Sequence, residues 1–192
     1  MRYLLTGLAF VTFSTSLLAN DTFDWGLTIK AGNYGVEDPD GDADEEFTYS
    51  PGIKFTFPVS RRGQQLVVSG EYIDFDLDPS TQYVGQEVNG YRLSGGYEHQ
   101  FNLSRSFKVW GGATLNIDTV TFDGRHTIDQ DGYLADRYQD LSETSLGVSG
   151  YIFTVFDVGA RSTWVPSIGL FIDYPMGDGV RAIGGFAQLI FE

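Results

Sequence analysis

The sequence predicts an all-β fold for this 192-residue chain, an eight-stranded antiparallel up-and-down barrel that crosses a membrane. Three observations lead there. The chain begins with an export leader; the remainder divides into eight segments of about ten residues with alternating apolar and polar side chains; and the breaks between segments alternate between short and long.

The leader comes first. Arg2 supplies a positive start, Tyr3 to Val11 an apolar core, and Ser14 to Ala19 a run rich in small residues ahead of Asn20, so residues 1–19 read as a signal peptide and residues 20–192 as one domain. Past Asn20 no uncharged apolar run reaches the roughly 18 residues of a spanning helix, so a membrane crossing has to use strands. There is no cysteine, which leaves packing and hydrogen bonds to hold an exported domain together. Removing Arg2 with the leader takes the formal net charge from −14 to −15, a balance that disfavours nucleic acid as a partner.

The first segment sets the pattern, with Phe23, Trp25, Leu27, Ile29 and Ala31 alternating with Asp24, Gly26, Thr28 and Lys30. In the second, Phe47, Tyr49, Ile53, Phe55, Phe57 and Val59 oppose Thr48, Ser50, Lys54 and Thr56. The third, Leu66 to Leu77, is mixed: Leu66, Val68, Gly70 and Tyr72 oppose Val67, Ser69, Glu71 and Ile73. The fourth sets Tyr91, Leu93, Gly95, Tyr97 and Phe101 against Arg92, Ser94, Gly96, Glu98 and Gln100. In the fifth, Phe107, Val109, Ala113, Leu115 and Ile117 face away from Lys108, Thr114, Asn116 and Asp118, with Trp110 interrupting the polar face. The sixth runs from about Glu143 to Phe156, the seventh from Thr163 to Tyr174 with Ser167 and Asp173 on its polar face, and the last carries Ile183, Ala187, Leu189 and Phe191 against Gln188. Short breaks fall at Ser60 to Gln64, Asn102 to Ser106 and Asp157 to Ser162, and mostly longer ones between, so turns and loops occupy opposite ends.

Alternation alone does not say which face looks inward, because a soluble barrel also alternates. The composition of the two faces decides. The polar face carries both signs of charge, Lys30, Lys54, Arg92 and Lys108 with Glu71, Glu98 and Asp118, among many small residues. Such a set can satisfy itself in a narrow lumen, which at eight strands is filled by side chains and leaves no open pore. The apolar face is aromatic at its ends and aliphatic between, as hydrocarbon bounded by aromatic girdles requires. A closed barrel then pairs every backbone group, each of which would cost several kcal/mol unpaired in lipid.

On these features the chain resembles the small outer-membrane barrels of the OmpA transmembrane-domain and OmpX kind, over essentially all of residues 20 to 192. The resemblance implies the outer membrane of a Gram-negative bacterium, with membrane lipid and lipopolysaccharide around the barrel. It also implies insertion by the barrel-assembly machinery, whose signal in this family resembles Ala187, Leu189 and Phe191. The chain departs from that signal in that Glu192 follows Phe191.

The loops carry the remaining chemistry. Asp38, Asp40, Asp42 and Asp44 recur at every second position around Gly41, a spacing that could offer Ca²⁺ several of the six to eight oxygens it takes. The rest of a calcium loop is missing, so a solvated acidic loop stands beside the metal reading. His99 and His126 are the two histidines, and neither sits in a His-x-Ser motif of the lipid A deacylase type, so no catalytic residue is assigned. The longest loop holds Arg125, Tyr133, Arg137 and Tyr138, residue types favoured at recognition surfaces. The sequence therefore points to a structural or cell-surface interaction barrel, adhesive or shielding, with a possible extracellular ligand. A lipid A-modifying enzyme and a narrow transporter of small apolar molecules are the alternatives.

Overall fold

The computed structural model describes residues 23–37, 43–59, 63–77, 83–84, 86–102, 108–124, 126–128, 131, 133–137, 141–156, 163–177 and 179–191. Residues 1–19, which the sequence reads as an export leader, lie outside them. Eleven strands follow in chain order: β1 (Asp24–Glu37), β2 (Ala43–Pro58), β3 (Gln64–Leu77), β4 (Tyr83–Val84), β5 (Gln86–Asn102), β6 (Lys108–Asp123), β7 (His126–Ile128), β8 (Leu134–Arg137), β9 (Leu141–Val155), β10 (Trp164–Pro175) and β11 (Val180–Phe191). Eight of them close a barrel in the order β1-β11-β10-β9-β6-β5-β3-β2, with every neighbour antiparallel. The other three form a separate sheet in the order β4-β7-β8 above the loop end. The sequence pattern places these stretches in loops, because a run of two to four residues is too short to display a period of two.

The oily stripes look outward. Leu93 is 62 % exposed, Leu115 67 % and Leu170 65 %, whereas Arg92, Glu98 and Asp118 are buried. Only surrounding hydrocarbon makes such a surface stable, since the same leucines in water would form a patch far larger than soluble monomers carry. Aromatics bound this belt on both sides. Phe23, Trp25, Phe101, Phe156 and Trp164 lie towards the turn end, and Phe47, Tyr49, Tyr72, Tyr91 and Tyr174 towards the loop end.

Beyond the loop-end girdle the facing inverts. Outward positions become polar, as at Asn33, Glu45, Asp74, Asp76, Glu87, Thr119 and Ser142, and inward positions become apolar, as at Tyr34, Val36, Ile73, Phe75, Val88, Val120 and Val180. The strands have left the lipid, so their outside meets water and their inside forms a core like that of a soluble barrel. The mixed facing of the third segment has this cause in part: Glu71 and Ile73 both point inward, on either side of the change, while Val67 is an apolar inward residue below it.

Closure depends on the β1–β11 seam, paired from Trp25 with Phe191 to Val36 with Val180. Gly32 and Gly184 face each other there, and a Cβ on either would run into the opposite backbone, at the Ile183 and Ala31 carbonyls. At the turn end Trp25 stacks on Phe191 with ring centroids 4.6 Å apart.

Candidate functional site

The inward residues of the membrane-level strands build an ion-pair layer across the lumen. Arg92 of β5 donates from Nε and Nη2 to the two Asp118 oxygens of β6, both at 2.7 Å, from Nη1 to Asp173 of β10, and from Nη2 to the Val180 carbonyl at 2.9 Å. Lys30 of β1 lies 2.7 Å from Glu71 of β3 and 2.8 Å from Asp173, with Nζ 4.6 Å from the Phe171 ring centroid. Tyr34 donates its hydroxyl to Glu71 at 3.1 Å. Nearer the turn end, Glu98 accepts from Lys54, from Gln65 and, at 2.6 Å, from the Tyr151 hydroxyl. Lys54 also reaches Gln188 at 3.3 Å and lies 4.9 Å from the Phe153 ring centroid.

These bonds tie together strands from all sides of the barrel, which is what a narrow lumen filled by side chains demands of buried charges. Lys30, Lys54 and Arg92 meet Glu71, Glu98, Asp118 and Asp173. Of the seven charges predicted for the lumen, the structure joins six. Lys108 is the correction: it shares the inward parity of β6 but is the strand's first residue and is exposed at the rim. Asp173 was missed as a member, although its place on the polar face of the seventh segment was the signal for it. A cavity of about 50 Å³ remains between Lys30, Lys54, Glu71, Tyr151 and Gln188, room for a few waters at the ~10–15 Å³ each needs.

The loop-end candidates are spread out. Asp38, Asp40 and Asp42 lie outside the described residues, and Asp44 pairs by its backbone with Val36. Among the described residues no group of three or more metal-ligating side chains comes together. Tyr133 is 72 % exposed beside β8. Arg137 pairs by its backbone with His126 across β7–β8, while Arg125 and Tyr138 lie outside the described residues. His126 Nδ1 sits 2.7 Å from the Gly124 carbonyl, and His99 packs edge-on to Phe101 at 4.9 Å. Neither contact supplies a nucleophile.

No family model matches the chain, and no curated protein is similar to it in sequence. Solved structures are. Neisserial surface protein A (NspA) superposes with a TM-score of 0.56 at 12% identity, covering 89% of this chain and 99% of that one. Ail, the attachment invasion locus protein of Yersinia pestis, in complex with the heparin analogue sucrose octasulfate, superposes with a TM-score of 0.51 at 12% identity, covering 89% of this chain and all of that one. At such identity the likeness is one of fold. With a closed eight-stranded wall, an outward aliphatic belt and two aromatic girdles, the chain has the fold of the small outer-membrane β-barrels.

Proposed function

We propose that this protein is a non-conducting barrel that works at the cell surface, presenting the sheet of β4, β7 and β8 to an extracellular partner. The observation that carries the reading is the contrast between the two ends of the lumen's purpose: side chains from opposite walls lock its middle, while the loops above build further ordered structure. Function in such scaffolds concentrates on loops held by a rigid frame. The structural neighbour Ail was solved with a polysulfated ligand. A net charge of −14 disfavours a polyanion here, so a partner of different charge fits better. Lipopolysaccharide around the belt and assembly by the barrel-assembly machinery complete this reading.

Replacing residues 124–140 by a Gly/Ser linker tests it. The barrel should still fold, since its own ladder from β6 to β9 is untouched, as seen by the mobility difference between heated and unheated samples. Attachment to host cells or serum and phage sensitivity should change. An unchanged phenotype counts against a partner-binding role. Mass spectra of lipid A from cells with and without the protein should be identical; a new acylation state would favour the enzymatic alternative.

A further inference from the structure

The barrel wall is laddered unevenly. β2 pairs with β1 from Ala43 to Thr56, but with β3 only from Gly52 to Pro58. Above that point β3 continues to Leu77 with a backbone ladder to β5 alone. The break begins at Pro51, which has no N–H to give the ladder. In the continued register Pro51 would oppose Tyr72, and Tyr49 would oppose Asp74. Two hydroxyls stand in for the ladder donors: Ser50 Oγ donates to the Tyr72 carbonyl, and Thr48 Oγ1 to the Asp74 carbonyl at 3.0 Å. The upper β2–β3 seam is therefore held by side chains, whereas the neighbouring β3–β5 and β5–β6 seams are held by backbone up to Leu77 with Gln86 and Glu87 with Asp123.

Its surroundings select an occupant. Outside, the seam is flanked by two aromatic pairs, Phe47 with Tyr49 at 5.6 Å and Tyr72 with Tyr91 at 5.3 Å, at the loop-end girdle where outer-leaflet chains begin. Directly behind it stand Tyr34, Ile73 and Phe75 of the apolar layer. Asp74 and Asp76 are exposed beside it, so the seam repels an anionic headgroup and suits a hydrocarbon chain.

We propose that the upper β2–β3 seam parts to let an acyl chain of the outer leaflet reach the apolar layer of the lumen, whose Tyr34, Ile73 and Phe75 are buried while the seam is closed. The charge layer of Arg92, Lys30 and Glu71 floors this site, so it binds a chain and does not pass it to the periplasmic end.

Residue-resolved hydrogen exchange on the mature barrel in phospholipid vesicles tests the opening. Amides of Tyr49, Tyr72 and Asp74 should exchange at least about tenfold faster than those of Asn89 and Thr121, which sit at the same level in the fully laddered β5–β6 seam. Pro51→Val, which restores the missing donor, should remove most of that difference. Equal protection in the two seams of the wild type overturns the opening.

The occupant is tested with vesicles of phospholipids carrying brominated acyl chains, which quench nearby tryptophan. Phe75→Trp places a reporter inside the wall, and Ser50→Cys with Ile73→Cys, in a chain otherwise free of cysteine, closes the seam by a disulfide. The native Trp25, Trp110 and Trp164 lie at the turn end and contribute equally in both states. Quenching of the added fluorescence should fall by about half or more on closing, as local access is lost. Should the disulfide not form, Pro51→Val serves as the closed variant. Quenching unchanged between open and closed forms overturns the acyl-chain site even where exchange supports the opening.

Discussion

Arg92 shows how much of the interior can rest on one side chain. It is 1 % exposed, and its planar fork holds both oxygens of Asp118 while a third nitrogen binds Asp173. Truncating it takes the bidentate cation from buried Asp118 and leaves Asp173 with Lys30, and breaking such a buried pair costs about 3–5 kcal/mol. Arg92→Leu should lower stability by that order in urea titrations of the folded barrel. Arg92→Lys should recover part of it, because a point charge cannot reproduce the bidentate geometry. Adding Asp118→Leu to Arg92→Leu should also recover part of the loss, since an apolar pair of similar volume carries no stranded charge. That Arg92 and Asp118 both face the lumen is legible in the sequence because each lies on the polar parity of its segment, and Asp173 carries the same signal. Which of them meet is not legible, because parity says which face a residue takes and nothing about which of the seven other strands will bring it within reach. Lys108 fails for a related reason: parity is blind to height, and the end of a strand faces water whichever way it points.

Within single strands, the limit of legibility is the membrane edge. Alternation marks β1 from Phe23 to Ala31, where the apolar face is continuous, yet the strand runs on to Glu37. Past Ala31 the apolar residues change parity to Tyr34 and Val36, so a single alternation rule loses the strand at the point where its solvent changes. The same inversion predicts how one face of β6 responds to charge. Leu115 and Thr119 both point outward on that strand, four residues apart and both exposed. Leu115 lies in the belt, where an arginine costs about 2–4 kcal/mol, whereas Thr119 lies beyond it, where the cost falls to about 0–1 kcal/mol. Leu115→Arg should therefore destabilise the barrel in lipid by several times more than Thr119→Arg. Thr119→Arg does lose the hydroxyl contact with Thr144 at 3.2 Å, an exposed pair on the outer surface. Similar losses for the two variants would mean that the lipid boundary lies above Thr119.

For the molecule as a whole, the two regimes of the lumen act in series. A charge layer spans the membrane-level interior, and an apolar layer of Tyr34, Ile73, Phe75, Val88, Val120 and Val180 lies above it. An ion crossing has to displace the paired charges of one layer and pass the buried apolar side chains of the other. The wild-type barrel should give no steady conductance in planar bilayers. Thinning one layer alone should not change that: Phe75→Ala with Val120→Ala removes bulk from the apolar layer and costs stability, about 3–5 kcal/mol for the phenylalanine, but leaves every ion pair of the lower layer in place. That variant should stay silent while unfolding at lower urea. Steady channels in it would show that the apolar layer alone had been the seal and that the charges beneath it conduct. Silence in the variant together with large, stable channels in the wild type is not a combination that two barriers in series allow.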